Sequence, residues 1–132
     1  MTVESNQIND PQTVAEVTAA FQAYEDALMA NDVERLDALF WPSPHVLRYG
    51  VGENLYGQAE VLAFRQTRPG GSPKRVLTRT VVTTFGTDFA TVNAEFRREG
   101  EARVGRQSHA WARLAQGWRI VAAHVSFMGA GS

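Results

Sequence analysis

Two side chains in this sequence combine reactivity with a placement that could turn it on a ligand, Tyr24 and Arg48. Tyr24 belongs to the run Val14, Val17, Phe21, Tyr24, Leu28, whose alternating spacings of three and four mark the apolar stripe of an amphipathic helix. A phenol on that stripe points at the core, and its hydroxyl requires a partner there. It either satisfies a buried carbonyl or works as a proton donor or acceptor in a pocket. Arg48 lies in the short strand His45-Val46-Leu47-Arg48-Tyr49, ended by a turn containing Gly50 and Gly52. Facing outward it is an ordinary solvated arginine, and facing inward it is a fork for a carboxylate.

A third group comes from alternation. Gln107, His109 and Trp111 fall on one side of a strand and would form a polar-to-aromatic wall if that side lines a pocket. Whether His124 and Ser126 join that wall depends on the register of the hairpin at Gln116-Gly117, which the sequence leaves open. Other chemistries find little support. His45, His109 and His124 have no metal-ligand spacing, so no metal site is expected. Gly50-Val51-Gly52 breaks off before a nucleotide-binding loop is complete, so no cofactor is expected. A Ser-His-Asp set could be assembled from Ser108 or Ser126, His124 and Asp88, but most small domains offer such a trio.

The elements that must position these residues divide the chain into helices first and strands last. Residues 1–10 read as a loose, flexible arm, and residues 11–128 as one domain. Asp10-Pro11 starts a helix, with Asp as cap and Pro at the first position, running to about Ala30. Asn31-Asp32 restarts a shorter helix that buries Val33, Leu36, Leu39 and Phe40. Trp41-Pro42-Ser43-Pro44 cannot stay helical. Leu55-Tyr56 reads as the hairpin partner of the Arg48 strand, and a third helix runs from Gly57 to about Gln66, with Val61, Leu62 and Phe64 inward. Four long strands, at 75–85, 89–98, 102–114 and 118–127, follow as a meander joined by tight turns. Strands this long twist and curl. The expected fold is therefore α+β, with three N-terminal helices packed on a strongly curved, mostly antiparallel sheet that forms a cone around a pocket.

Bulk properties narrow the function classes. At 132 residues with 44% apolar composition, the chain suits one hydrophobic core. It has no cysteine, which excludes disulfides and thiolate chemistry. No apolar run approaches the ~20 residues that cross a bilayer, and residues 1–10 lack the pattern of a secretory signal, so a cytoplasmic protein without membrane contact is expected. Net charge is -1, split into -7 over residues 1–65 and +6 over residues 66–132. Lys74 is the one lysine, and the other twelve basic residues are arginines, suited either to an anionic ligand or to solvated strand faces. Nucleic-acid binding would ask for an overall basic domain. Val, Ala and Trp on the outer face of the sheet argue for a homodimer.

Several stretches taken together resemble one family. They are Phe21-Gln22-Ala23-Tyr24-Glu25, Asn31-Asp32-Val33, Leu39-Phe40-Trp41, Arg48-Tyr49-Gly50, Ala63-Phe64-Arg65, Thr84-Phe85-Gly86, Gly105-Arg106-Gln107-Ser108, and the closing Gly117-Trp118-Arg119-Ile120-Val121-Ala122-Ala123-His124-Val125-Ser126. In this order, over about residues 9–128, they resemble the AtzH-like and HpxZ-like proteins of the SnoaL-like, ketosteroid-isomerase-like superfamily. His109 departs from the pattern, where a glutamine is expected in many relatives. The resemblance implies a cystatin-like cone acting beside amidases in oxalurate or cyanuric-acid breakdown. It implies a decarboxylating amidohydrolase that turns a small anionic ureido substrate, 1,3-dicarboxyurea, into allophanate. It also implies that Tyr24 and Arg48 are catalytic; Arg65, Gln107, His109 and Trp111 are the expected substrate-binding residues. Tyr24 could act as acid or, as phenolate, as base. The other reading is a non-catalytic ligand-binding companion of an amidase, since fold does not dictate function. An isomerase of the ketosteroid type would want an aspartate base in the pocket, and the acids here cluster on helix faces or near turns.

Overall fold

Helix α1 spans Pro11–Ala30 and begins where expected. The Asp10 carboxylate accepts the Thr13 N–H at 3.1 Å, and Pro11 takes the first helical position. Val17, Phe21, Tyr24 and Leu28 are buried along its inner stripe, with Val14 half-buried. Asn31 ends it in the left-handed conformation, and Asp32 caps α2, Val33–Leu39, through the Arg35 N–H at 3.2 Å. Leu36 on α2 and Phe40 just after it are deeply buried. Strands β1, Leu47–Tyr49, and β2, Asn54–Tyr56, form a hairpin closed by the Gly50 N–H on the Glu53 carbonyl at 2.8 Å. Helix α3 spans Gln58–Thr67. Strands β3, Arg75–Phe85, β4, Phe89–Arg98, β5, Gly105–Leu114, and β6, Gly117–Phe127, form the antiparallel meander. This computed structural model describes residues 2–129.

One six-stranded sheet results, in the order β2-β1-β6-β5-β4-β3. The β1–β6 pair is parallel and the other pairs are antiparallel. Two bulges, at Leu77/Arg79 in the β3–β4 ladder and at Ala110/Trp111 in the β5–β6 ladder, add twist and let the long strands curl. The helices lie against the inner face, where Trp111, Tyr24, Phe40, Phe96, Leu36 and Ile120 make up the bulk of the core. Among the described residues no helix is long and apolar enough to cross a membrane.

Two local readings need revision. Within the segment expected as a loose arm, Ser5–Gln7 form a 3-10 turn, Ile8 bridges to Phe85, and the Asn9 side chain accepts the Thr84 N–H at 3.0 Å. These bonds cap the C-terminal end of the edge strand β3, at Thr84 to Gly86. On α3 the buried pair is Val61 and Arg65, four residues apart, whereas Leu62 and Phe64 are half-buried.

Candidate active site

The inner face of the sheet carries the site because of register. Arg48 on β1 pairs with Ala123 on β6, Ala123 pairs with His109 on β5, and His109 pairs with Val92 on β4. Residues paired in register share a face, so Arg48 and His109 lie in one inward row with the small Ala123 between them. Gln107 and Trp111 follow on the same face of β5, and all three β5 side chains are buried. Arg48 is therefore an inward arginine. It takes a single ion-pair contact, Nη1 to Glu53 Oε2 at 3.2 Å.

Tyr24 closes over this wall from α1. Its ring stands edge-on to the His109 imidazole, with centroids 4.8 Å apart, and Phe40 and Phe21 complete its surroundings. The phenol oxygen accepts a hydrogen bond from Arg65 Nη2 at 3.0 Å. Arginine has no acceptor to offer in return. The Tyr24 proton thus stays free for another group, and among the described residues the hydroxyl donates to no backbone carbonyl. Burial raises the Tyr24 pKa, but the charges of Arg65, Arg48 and Arg75, together with the Arg65 hydrogen bond, outweigh it and hold the phenol below its ordinary value.

A second network fixes the wall. Arg75, at the start of β3, holds Glu25 of α1 through Nη2 at 2.7 Å and Nε at 3.0 Å. The same Nη2 donates to Gln107 Oε1 at 3.1 Å. That bond settles the amide orientation and turns Gln107 Nε2 away as a buried donor without a partner. Among the described residues Arg65 Nε, His109 Nδ1 and Trp111 Nε1 likewise have no hydrogen-bond partner although buried. Burial first, then Arg75, Arg48 and Arg65, pushes His109 well below its ordinary value, so the imidazole is neutral. A donor-rich, cationic interior of this kind matches a ligand with carboxylate and carbonyl oxygens.

Of the residues singled out from the sequence, Tyr24, Arg48, Arg65, Gln107 and His109 converge. Trp111 stands next to His109, with ring centroids 5.9 Å apart, but its side chain is fully enclosed in the core cluster. His124 and Ser126 do not join. Their partners are Ser108 and Arg106 on the outer face, and His124 is exposed. The bulge explains this, because Val121 is an extra residue that shifts the inward phase from Trp118 and Ile120 to Ala123 and Val125. Glu25 and Arg75 were not anticipated. A signal existed for Glu25, which lies four residues after Phe21 and three before Leu28, a charged position on an apolar stripe. Arg75 gave none, because the bulge between Leu77 and Arg79 breaks the alternation that would tie its facing to the rest of β3.

Comparison with known proteins agrees with this architecture. A family model described as AtzH-like matches residues 6–131. Among solved structures, a protein of unknown function from the DUF3225 family of Pectobacterium atrosepticum SCRI1043 is 49% identical with a TM-score of 0.94, covering 96% of this chain and 99% of its own. A cystatin-like fold protein from Burkholderia xenovorans LB400 is 52% identical with a TM-score of 0.88, covering 92% of this chain and 96% of its own. An NTF2-like protein of unknown function from Pseudomonas putida KT2440 shares the fold at 14% identity and a TM-score of 0.73, covering 87% and 86%. No curated protein matches the chain. An inward tyrosine and arginine on a cystatin-like, NTF2-like cone, with a match over nearly the whole sequence, give one conclusion: the chain belongs to the AtzH-like family.

Proposed function

We propose that the protein is a small decarboxylating amidohydrolase whose substrate is a carboxylated urea such as 1,3-dicarboxyurea, with allophanate as product. The observation that carries this reading is the Arg65–Tyr24 bond, which spends the phenol's acceptor and leaves its proton for a ligand. In the reaction Tyr24 gives that proton to a carbamate nitrogen. The bond from this nitrogen to its terminal carboxylate carbon breaks, its electron pair stays on nitrogen, and carbon dioxide leaves. The phenolate then recovers a proton from water. A phenol held below its usual pKa by guanidinium charge is a stronger acid for this step.

Arg48 orients the departing carboxylate. Glu53 already engages one of its amino groups, so the grip is partial. That suits the step, because a guanidinium that bound the departing charge fully would stabilise the ground state more than the transition state. Arg65, Gln107 Nε2 and neutral His109 surround the urea carbonyl and nitrogens, with Trp111 as the apolar backing.

The test is turnover of 1,3-dicarboxyurea, generated in situ by a coupled amidase, with allophanate and carbon dioxide followed. Removing a general acid costs about 10²- to 10⁴-fold. Tyr24→Phe and Arg48→Ala, both retaining the wild-type circular dichroism spectrum, are expected to lose activity on that scale. Full activity in either variant would overturn the scheme. No release by the wild type would favour a non-catalytic companion of the amidase.

A further inference from the structure

Five arginines gather near the start of β3 and the ends of β4 and α3, with Arg48 reaching them from β1. Two phenylalanine rings space them. The Arg48 and Arg68 guanidinium carbons lie 5.2 and 5.3 Å from the centroid of Phe64. Those of Arg75 and Arg98 lie 4.5 and 5.5 Å from the centroid of Phe96. Arg65 stands among them on α3. Gly105 makes this stacking possible, since a Cβ there would lie 2.3 Å from the Phe96 ring.

The carboxylates are unevenly shared. Arg48 has Glu53, and Arg75 has Glu25. Arg68 and Arg98 have no ion-pair partner among the described residues, although both are half-buried. Glu53 and Glu101 act on them only from beyond contact distance, because their own pairs are with Arg48 and Arg103. Arg98 Nε is in addition buried without a hydrogen-bond partner. Like charges held together and partly desolvated are unfavourable until an anion joins them. Neither residue is needed for the proton transfer described above.

We propose that Arg68 and Arg98, stacked on the Phe64 and Phe96 rings, form a second carboxylate subsite, which holds the carboxylate the product keeps and makes the site selective for dianions. This rests on the decarboxylation reading for its choice of substrate but not for its test. The two ends have different tasks. Arg48, shared with Glu53, orients the carboxylate that leaves, and the unshared pair anchors the one that stays. Allophanate, with one carboxylate fewer than the substrate, then binds less tightly and is released.

The probe pair is glutarate and butyrate. Glutarate places the same number of chain atoms between its carboxylates as 1,3-dicarboxyurea does, and butyrate lacks the second carboxylate. Binding is measured by titration calorimetry at one fixed ionic strength. Wild type is expected to prefer glutarate by about tenfold or more, the scale of a charged hydrogen-bond pair. In Arg68→Gln/Arg98→Gln that preference is expected to fall to within about twofold. Arg35→Gln, on α2 away from the cluster, removes a positive charge outside it and should leave the preference unchanged. A wild-type preference below twofold, an unchanged preference in the double variant, or its loss in Arg35→Gln would each overturn the proposal. Arg68→Lys/Arg98→Lys keeps the charge and guards against a folding artefact, with most of the preference expected to survive. Selective glutarate binding without turnover would overturn the decarboxylation reading and leave the subsite standing. Turnover with unselective binding would do the reverse.

Discussion

Replacing Glu25 by Gln removes the one carboxylate in contact with Arg75, whose side chain is only 2% exposed. Two bonds of 2.7 and 3.0 Å join the wild-type pair. Breaking a buried pair from one side costs about 3–5 kcal/mol, because the remaining charge keeps its desolvation penalty. Gln can still accept one hydrogen bond from the guanidinium, which recovers about 1 kcal/mol. The expected net loss is therefore about 2–4 kcal/mol, a large share of the ~5–15 kcal/mol that holds an ordinary domain together. Urea unfolding followed by circular dichroism reads this as a lowered midpoint at unchanged slope. Glu25→Leu combined with Arg75→Met removes both charges and should lie within about 1.5 kcal/mol of wild type. A single-variant loss below about 1 kcal/mol, or a double variant less stable than the single, would refute the reasoning.

Two further predictions follow from burial. His109 has its folded pKa depressed, so the unfolded chain takes up the proton first as pH falls. The stability this contributes is present above about pH 6.5 and is lost below it, by up to ~1.4 kcal/mol per pH unit. His109→Gln should lack that component, and equal slopes in acid urea titrations of the two proteins would contradict neutral burial of the imidazole. The second concerns assembly: we propose that the outer sheet face, where Phe89, Val81 and Tyr56 are exposed and Ala110 and Ala122 pair on the central strands β5 and β6, pairs with a second copy of the chain. Sedimentation velocity should give twice the 14.6 kDa chain mass for wild type and the monomer mass for Ala110→Arg, whereas a monomeric wild type would contradict it.

The sequence made α1 legible nearly to the residue, since a proline, a capping aspartate and a three-four apolar rhythm all act locally. The same holds for the hairpin partner at Leu55-Tyr56 and for the four-strand meander, whose turns carry their own glycines. What stayed hidden depends on pairing between distant segments. The parallel docking of β1 beside β6 decides that Arg48 faces inward, and nothing near Arg48 encodes it. The Val121 bulge flips the phase of β6, and a regular strand with Trp118 and Ile120 inside would have put His124 and Ser126 on the inner wall. Arg65 is among the expected substrate-binding residues. Its helical spacing from Val61 would have suggested the same burial, but a charged residue on an inward face runs against the usual pattern. Glu25 and Arg75 neutralise each other across 50 residues, a relation that only the fold can show.

The most direct test of the central claim is the identity of the first carbon product. With 1,3-dicarboxyurea labelled at its carboxylates and no carbonic anhydrase present, rapid sampling separates carbon dioxide from bicarbonate before hydration mixes them. Proton donation by Tyr24 predicts carbon dioxide first, with its release lost by about 10²-fold or more in Tyr24→Phe. Bicarbonate as the first product, or undiminished release in Tyr24→Phe, would contradict it.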